Sequence, residues 1–291
     1  MRTALTIAGS DSGGGAGIQA DLKTFAAHGV YGLTAITAVT AQNTLGVTAW
    51  TALSADLVTA QIEAVSGDFG VNAVKTGMLA TAAIVEAVAA AIDSLELPLV
   101  VVDPVMIAKG GDRLLDEDAV AAMRAELLPR AHMVTPNVPE AEVLAGMRIA
   151  SIEDMQEAAR RILALGPRVV LVKGGHLFNR GSAPDPGSVA RGDPSAPLRS
   201  LAGAPCAPAV VIDVACSEEG TFEIRGPRHV TRNTHGTGCT LASAIAANLA
   251  RGLRDREAIE RAREYLDGAI RNAPGLGHGH GPLSHFWRTV Y

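Results

Sequence analysis

Aromatic residues are scarce in this chain: they make up 3% of its 291 residues, while 48% of the residues are hydrophobic. The core must therefore be built mainly from Ala, Val, Leu and Ile side chains. Cysteine is also rare, and Cys206, Cys216 and Cys239 lack the paired spacing of a zinc site. Because their number is odd and no disulfide framework is apparent, we expect free thiols in a reducing, cytoplasmic setting.

Long hydrophobic runs and an excess of basic residues are missing as well. No apolar run reaches the roughly 18 residues that cross a bilayer. Gly9 and Asp11 interrupt the first apolar stretch too early for a signal peptide. The formal net charge is -5, which provides no basic surface for nucleic acid. We expect neither a membrane nor a nucleic acid as a partner, and we interpret residues 1–291 as a single domain.

Short β-branched runs alternate with helix-like periodicity through most of the chain. The run Leu99–Val102 is apolar at every position, which is typical of a parallel strand buried on both faces. Such alternation predicts right-handed crossovers and an open α/β sheet covered by helices. The predicted strands are Ala4–Ala8, Thr34–Thr40, Ala73–Thr76, Leu99–Asp103, Met133–Thr135 and Val169–Lys173, followed by a hairpin of Val210–Ala215 and Thr221–Arg225. The predicted helices are Ile18–His28, Ala55–Ser66, Ala82–Ser94, Glu117–Leu128, Pro139–Ala145, Ile152–Leu165, Thr240–Arg251 and Arg256–Asn272.

The hexapeptide His235–Thr240 carries the strongest chemical signal. Gly236 and Gly238 shape a turn that leads into a helix, so unpaired backbone N–H groups and the positive end of the helix dipole favour an anion there. Cys239 lies in the first helical turn, where the pKa of a thiol tends to be lowered. This arrangement suits phosphoryl transfer, although a tight turn with a buried cysteine remains the alternative interpretation.

A second glycine-rich loop, Gly9–Gly17, follows the first predicted strand. A P-loop would need a Gly-Lys pair, and the chain contains none. A dinucleotide-binding fingerprint would need an acidic residue about 20 positions further on, whereas residues 35–45 hold no Asp or Glu. We therefore interpret this loop as backbone that closely approaches a bound ligand.

Polar residues follow several strands at the edge where an open parallel sheet binds ligands. One interpretation is that the side chains of Asp21, Gln42 and Asn43 hydrogen-bond to a heterocycle. In the alternative, Asp21 is a first-turn helix acid, and Gln42 and Asn43 form an ordinary turn. Asp103 and Glu140 could hold Mg²⁺ through its waters, since Mg²⁺ commonly binds one or two carboxylates together with substrate phosphates. The alternative role of Asp103 is to initiate a turn before Pro104, and that of Glu140 is a first-turn acid that stabilises its helix.

Three further segments bear on function. Lys173 ends a predicted strand and is either a phosphate partner or a solvated cation. Residues 180–209 contain six of the fifteen prolines, which indicates a flexible surface insertion. The tail Gly277–Pro282 holds two histidines without a third ligand at suitable spacing, which favours a structural or lid-forming turn over a metal site.

Taken together, these motifs resemble those of the bacterial hydroxymethylpyrimidine/phosphomethylpyrimidine kinases of the ribokinase-like superfamily. The matching segments cover nearly the whole chain in the family's order. They are Ala8–Asp21, Thr40–Thr44, Lys75–Leu79, Asp103–Met106, Thr135–Ala141, Val172–His176, Asn233–Thr240 and Gly277–Pro282. The resemblance implies a three-layer α/β/α fold, a homodimer, and ATP and Mg²⁺ as cosubstrate and cofactor.

The resemblance also implies how the pyrimidine substrate is bound. Gln42 would read the aminopyrimidine edge, with Asp21 and the backbone of Gly9 assisting. Met78 and Val105 would pack against the ring.

On the nucleotide side, the resemblance implies that Asp103 and Glu140 organise Mg²⁺ and the ATP phosphates. Asn137 would join them, and Lys173 and Thr234 would line the nucleotide.

For the transfer step, the backbone of Gly236, Thr237, Gly238 and Cys239 would stabilise the phosphoryl group. Cys239 would be the base that takes the hydroxyl proton, or a close partner of the substrate hydroxymethyl group. The resemblance thus implies phosphorylation of 4-amino-5-hydroxymethyl-2-methylpyrimidine and then of its monophosphate, in thiamine biosynthesis. A pyridoxal or pyridoxine kinase on the same scaffold is the alternative, and a non-catalytic pyrimidine sensor is a weaker one.

Overall fold

The computed structural model describes residues 1–106, 117–176 and 210–288, so the predicted insertion at 180–209 lies outside the described residues. Its centre is one nine-stranded sheet with the order β3-β2-β1-β4-β5-β6-β7-β8-β9. The strands are β1 Thr3–Asp11, β2 Tyr31–Asn43, β3 Gly46–Ala52, β4 Ala73–Thr76, β5 Val100–Val102, β6 Met133–Val134, β7 Val169–Val172, β8 Val210–Ser217 and β9 Gly220–Pro227.

The middle of the sheet is parallel, as predicted. Pairing is parallel from β2 through β1, β4, β5 and β6 to β7. Antiparallel strands extend both edges: β3 pairs with β2, and the β8–β9 hairpin follows β7. Every residue of β5 and β7 is buried, which explains their uninterrupted Val and Leu sequences.

Helices cover both faces of the sheet and give two separate hydrophobic clusters. One cluster packs α2, α3, α5 and α6 against the sheet, and the other packs α1, α7 and α8. The helices are α1 Gly17–Ala27, α2 Ala55–Phe69, α3 Ala82–Ser94, α4 Glu117–Ala122, α5 Val138–Ala145, α6 Ile152–Leu163, α7 Thr237–Ala250 and α8 Asp255–Arg271. The predicted α/β/α architecture is confirmed. Among the described residues, no helix is long and apolar enough to cross a membrane.

Two elements differ from the sequence-based prediction. Strand β2 runs on to Asn43, so Gln42 and Asn43 belong to the strand itself, and β3 was not predicted at all. Most of β3 is exposed, and an exposed edge strand lacks the apolar alternation that reveals a strand. The predicted helix Glu117–Leu128 ends at Ala122 and continues as a π turn and a 3₁₀ turn that contains Pro129.

The start of α7 also differs. The helix begins at Thr237, three residues before the predicted Thr240, so Gly238 and Cys239 both lie in its first turn. Gly236 caps the helix in a left-handed conformation, with φ at 83°. This φ favours glycine, because a side chain at such a position strains the backbone.

Candidate active site

The carboxyl ends of β5 and β7 bring a buried ion pair to the start of α7. Asp103, 2% exposed, follows β5, and its Oδ1 accepts a 2.9 Å hydrogen bond from Nζ of Lys173, which follows β7. A Cβ placed on Gly238 would lie 3.3 Å from that Nζ and 3.6 Å from Oδ2 of Asp103. Glycine thus lets the first turn of α7 approach the ion pair, and the predicted anion-binding turn and nucleotide-side residues meet in space.

Glu140 and Asn137 form a capping box at the start of α5. Glu140 Oε2 accepts a hydrogen bond from the Asn137 N–H at 2.8 Å, and Asn137 Oδ1 accepts one from the Glu140 N–H at 3.0 Å. Burial, together with the nearby Asp103 carboxylate, raises the pKa of Glu140 to about 7, although the Lys173 ammonium opposes the rise. Glu140 is therefore both a helix-capping acid and a buried carboxyl group beside Asp103.

The thiol of Cys239 does not have the lowered pKa that its position in a first helical turn predicts. Burial raises its pKa to about 11, and the Asp103 and Asp21 carboxylates add to this rise. The Lys75 ammonium and a hydrogen bond with the Gly17 backbone oppose it only in part. The prediction was wrong because burial penalises the charged thiolate and two nearby carboxylates repel it.

Asp21 lies in α1 beyond its first turn, and it has no exposed surface. Its Oδ2 accepts hydrogen bonds from Lys75 Nζ at 2.9 Å and Thr6 Oγ1 at 2.6 Å, and its Oδ1 accepts one from Ser243 Oγ at 2.6 Å. These contacts join β1, β4 and α7 to α1. Because both carboxylate oxygens have partners within the protein, we assign Asp21 a supporting role beneath the site.

Lys75 is a residue whose role sequence reasoning missed. It is fully buried, and although burial favours the neutral amine, the charge of Asp21, together with those of Cys239 and Asp103 and the hydrogen bond to Asp21, raises the pKa of Lys75. A cation held in the interior next to Cys239 contributes positive potential to the anion-binding turn. Lys75 lies in β4, and the sequence Ala73–Thr76 predicted a strand without indicating any role for its lysine.

The predicted substrate side gathers around the ends of β1 and β2. Nε2 of Gln42 lies 3.5 Å from Nε2 of His235, and Thr40 Oγ1 donates to Gln42 Oε1 at 3.2 Å. Gly9 packs close to Met78, since a Cβ added to Gly9 would lie 3.4 Å from Met78 Sδ.

Val105 follows a tight turn in which its N–H donates to Asp103 O at 2.8 Å. Both Val105 and Met78 are partly exposed, as a ring-packing role requires.

Thr234 lies just before α7, and its carbonyl accepts a hydrogen bond from Thr237 Oγ1 at 3.2 Å, which holds this segment against the start of the helix.

The tail of the described chain forms a strap across this region. Thr44 Oγ1 accepts hydrogen bonds from the N–H groups of His278 and Gly279 at 3.2 Å, and Thr44 O accepts one from the His280 N–H at 2.8 Å. Gly281 O accepts from the His235 N–H at 3.1 Å. These hydrogen bonds make Gly277–Pro282 a turn that contacts Thr44 and His235. Among the described residues, no group of three or more His, Cys, Asp or Glu side chains could hold a metal ion.

Comparisons with known proteins identify the family to which the chain belongs. The family model for phosphomethylpyrimidine kinase matches residues 11–284. The bifunctional thiamine biosynthesis protein ThiED of Geobacter sulfurreducens is 47% identical over 281 residues, which are 97% of this chain and 51% of that protein, so the chain spans about half its length. The hydroxymethylpyrimidine/phosphomethylpyrimidine kinase of Bacillus subtilis is 44% identical over 97% of this chain and 94% of that enzyme.

A solved structure extends the comparison to three dimensions. The ADP complex of Bacillus subtilis pyridoxal kinase superposes with a TM-score of 0.83 at 35% identity, and the match covers 100% of both chains. Fold, family match and site geometry lead to one assignment: the chain belongs to the phosphomethylpyrimidine kinase family.

Proposed function

We propose that the protein transfers the γ-phosphoryl group of ATP to the hydroxymethyl group of 4-amino-5-hydroxymethyl-2-methylpyrimidine, and then to the resulting monophosphate, in thiamine biosynthesis. One observation carries the proposal. The first turn of α7 lies against the Asp103–Lys173 pair on one side and, through His235, against Gln42 on the other. A phosphoryl group held at that turn would lie between the two substrates, as in-line transfer requires.

The pyrimidine would bind at the ends of β1 and β2. The Gln42 amide offers a donor and an acceptor to an aminopyrimidine edge, which presents the complementary pattern. Gly9 leaves the ring close to the backbone, while Met78 and Val105 supply apolar contacts on its faces. Asp21 supports this site through α1 and the buried Lys75 pair, without touching the substrate.

The residues on the nucleotide side suit a magnesium nucleotide. Asp103 and Glu140 are both buried, and the Asp103 carboxylate contributes to the raised pKa of Glu140. A cation bound near them would lower that pKa and favour the charged form of Glu140. Mg²⁺, when bound there, would neutralise charge on the nucleotide phosphates. Lys173 would contact a phosphate oxygen, and Asn137 and Thr234 would line the same side.

At the transfer step, the backbone of Gly236–Cys239 would hold the charge that develops on the phosphoryl oxygens. Because the pKa of Cys239 is about 11, its thiol is neutral near pH 7 and is not a ready base. We assign Cys239 as a hydrogen-bonding partner of the substrate hydroxymethyl group. The hydroxyl proton leaves late in a loose transition state, so orientation of that oxygen matters more than early proton removal.

The decisive experiment is end-point product analysis with Mg-ATP and the hydroxymethylpyrimidine, resolving monophosphate from diphosphate. The diphosphate is expected, since the alcohol and its phosphate monoester would use the same transfer geometry in succession. Monophosphate without diphosphate would contradict the two-step proposal.

The structural match to a pyridoxal kinase gives a second candidate substrate, because pyridoxal also carries a hydroxymethyl group on a six-membered heteroaromatic ring. Parallel assays with pyridoxal as acceptor separate the two. Faster turnover of pyridoxal than of the pyrimidine would reassign the enzyme as a vitamin B6 kinase. The homodimer and the cytoplasmic setting remain predictions, and sedimentation equilibrium measures the former.

A further inference from the structure

The glycine-rich loop after β1 is folded around a buried carboxylate. Asp11, 3% exposed, ends β1 and turns its side chain into the loop. Its Oδ1 accepts a hydrogen bond from the Gly13 N–H at 2.8 Å, and its Oδ2 accepts those of Gly15 at 3.0 Å and Ala16 at 2.8 Å. The loop amides that could have bound an external anion therefore bind Asp11.

The same carboxylate reaches a residue far along the chain. Nε2 of His235 lies 2.9 Å from Asp11 Oδ2, and the two residues are 224 positions apart. His235 is 8% exposed and immediately precedes Gly236, which caps α7. Although burial alone would raise the pKa of Asp11, hydrogen bonds from His235 and from the loop amides lower it, so the carboxylate stays ionised.

Glycines on both sides show how closely the two segments are packed. A Cβ on Gly15 would overlap the His235 ring, and a Cβ on Gly236 would overlap the carbonyl oxygen of Gly15. The loop and the cap of α7 are therefore in direct contact, and the Asp11–His235 hydrogen bond fixes their relative position.

The loop is also attached to the predicted substrate side. The hydroxyl of Ser12 accepts a hydrogen bond from the Gln42 N–H and donates one to the Gln42 carbonyl, both at 2.8 Å. Moving the loop would thus move Gln42 relative to the first turn of α7.

We infer that Asp11 and His235 are a positioning pair, which holds the glycine-rich loop against the start of α7 and so sets the distance between the pyrimidine-binding Gln42 and the phosphoryl-binding turn. The inference rests on the proposed function for its catalytic consequence. Neither residue needs to touch the reacting atoms, because a displacement of about 1 Å can cost about 100-fold in rate.

The test compares His235→Leu, which removes the donor, with His235→Gln, whose amide nitrogen can replace Nε2 as donor to Asp11. We expect His235→Leu to lower kcat/KM for the pyrimidine by about 100-fold and His235→Gln to recover most of that loss. If His235 instead moved a proton in the reaction, the glutamine variant would be as inactive as the leucine variant, and the inference would be overturned.

A second His–Asp pair of the same chemistry serves as the matched control. His132 directly precedes β6, and its Nε2 lies 2.6 Å from Asp255 Oδ1. This pair is therefore at the amino ends of the parallel strands, whereas the candidate site is at their carboxyl ends. His132→Leu should leave kcat/KM unchanged when both variants are assayed well below their melting temperatures. An equal loss in the control would show that any broken His–Asp pair lowers activity, and would refute a positioning role.

A double-mutant cycle of Asp11→Asn and His235→Leu completes the experiment. The two losses should be non-additive in both kcat/KM and unfolding free energy, since either change breaks the same contact. Additive losses would overturn the inference. The cycle in unfolding free energy needs no substrate, so it tests the Asp11–His235 contact independently of the reaction. If the two residues are coupled in stability but the enzyme turns over neither the pyrimidine nor pyridoxal, the proposed function is refuted and the contact between the two residues is not.

Discussion

Replacing Lys75 with methionine tests whether the buried Asp21–Lys75 ion pair stabilises the packing of α1, β1, β4 and α7 beneath the candidate site. Both side chains have 0% exposure, and their charged atoms are 2.9 Å apart. Methionine has a similar length and no charge, so the variant leaves an uncompensated carboxylate in the interior. Removing one partner of a buried ion pair typically costs about 3–5 kcal/mol. This is a large fraction of the roughly 5–15 kcal/mol that stabilises a folded protein.

The expected result is a loss of about 4 kcal/mol in unfolding free energy, measured by urea denaturation. Asp21→Asn should cost a similar amount, because it strands the ammonium of Lys75 instead. The double variant removes both charges, and the asparagine can still hydrogen-bond with Thr6 and Ser243. It should therefore be less destabilised than the sum of the two single variants.

The exposed pair of Arg256 and Glu260 is the control. Its side chains are 67% and 49% exposed, so Glu260→Gln should change stability by less than about 1 kcal/mol. Additive effects at Asp21 and Lys75, or single-variant losses as small as in the control, would refute the reasoning that these two charges compensate each other.

Three further predictions concern titration and substrate binding. Burial lowers the pKa of His285 to about 4, so the fold favours its neutral form. Stability should fall as the pH drops from the unfolded pKa of about 6.5 towards 4, by up to about 3 kcal/mol, and His285→Gln should flatten that slope in urea titrations. The alkylation rate of Cys239 by iodoacetamide, followed by peptide mass spectrometry, should still be rising at pH 10 because its thiol has a pKa of about 11; a plateau near pH 8 would contradict this. Gln42→Leu should raise KM for the pyrimidine at least tenfold while leaving KM for ATP within about twofold, as lost hydrogen bonds to one substrate predict, and an unchanged pyrimidine KM would exclude Gln42 from the pocket.

Sequence reasoning predicted the parts of the fold that depend on local patterns. The buried strands β5 and β7 were recognised because they are apolar at every position, and α6 begins at the predicted Ile152, where Ser151 and Asp154 form a capping box. Strand β3 was missed because its side chains are mostly exposed and carry no apolar alternation. Local pattern therefore predicts elements that bury a regular face and fails for an edge strand held by its neighbour's hydrogen bonds.

The candidate site divides in the same way. Residues at strand ends and at the start of α7 could be placed from the sequence, since topology alone brings them to one edge. The ion pairs of the site could not be predicted from the sequence, because each charged side chain has its partner at a distant position in the chain. Asp21 and Lys75 are 54 residues apart, Asp103 and Lys173 are 70 apart, and the third pair, Asp11 with His235, spans 224.

These three pairs bear on our proposal that the first turn of α7 binds an anion, although carboxylates lie near it. Each buried carboxylate in contact with the site already has a cationic or hydrogen-bonding partner, so its field at the turn is largely compensated. Burial is the largest cause of the raised pKa of Cys239, and the Asp103 and Asp21 carboxylates add to it, while the Lys75 ammonium and the hydrogen bond with the Gly17 backbone oppose it only in part. A first helical turn thus favours an incoming phosphoryl group through its backbone N–H groups, while the same surroundings keep a thiol protonated.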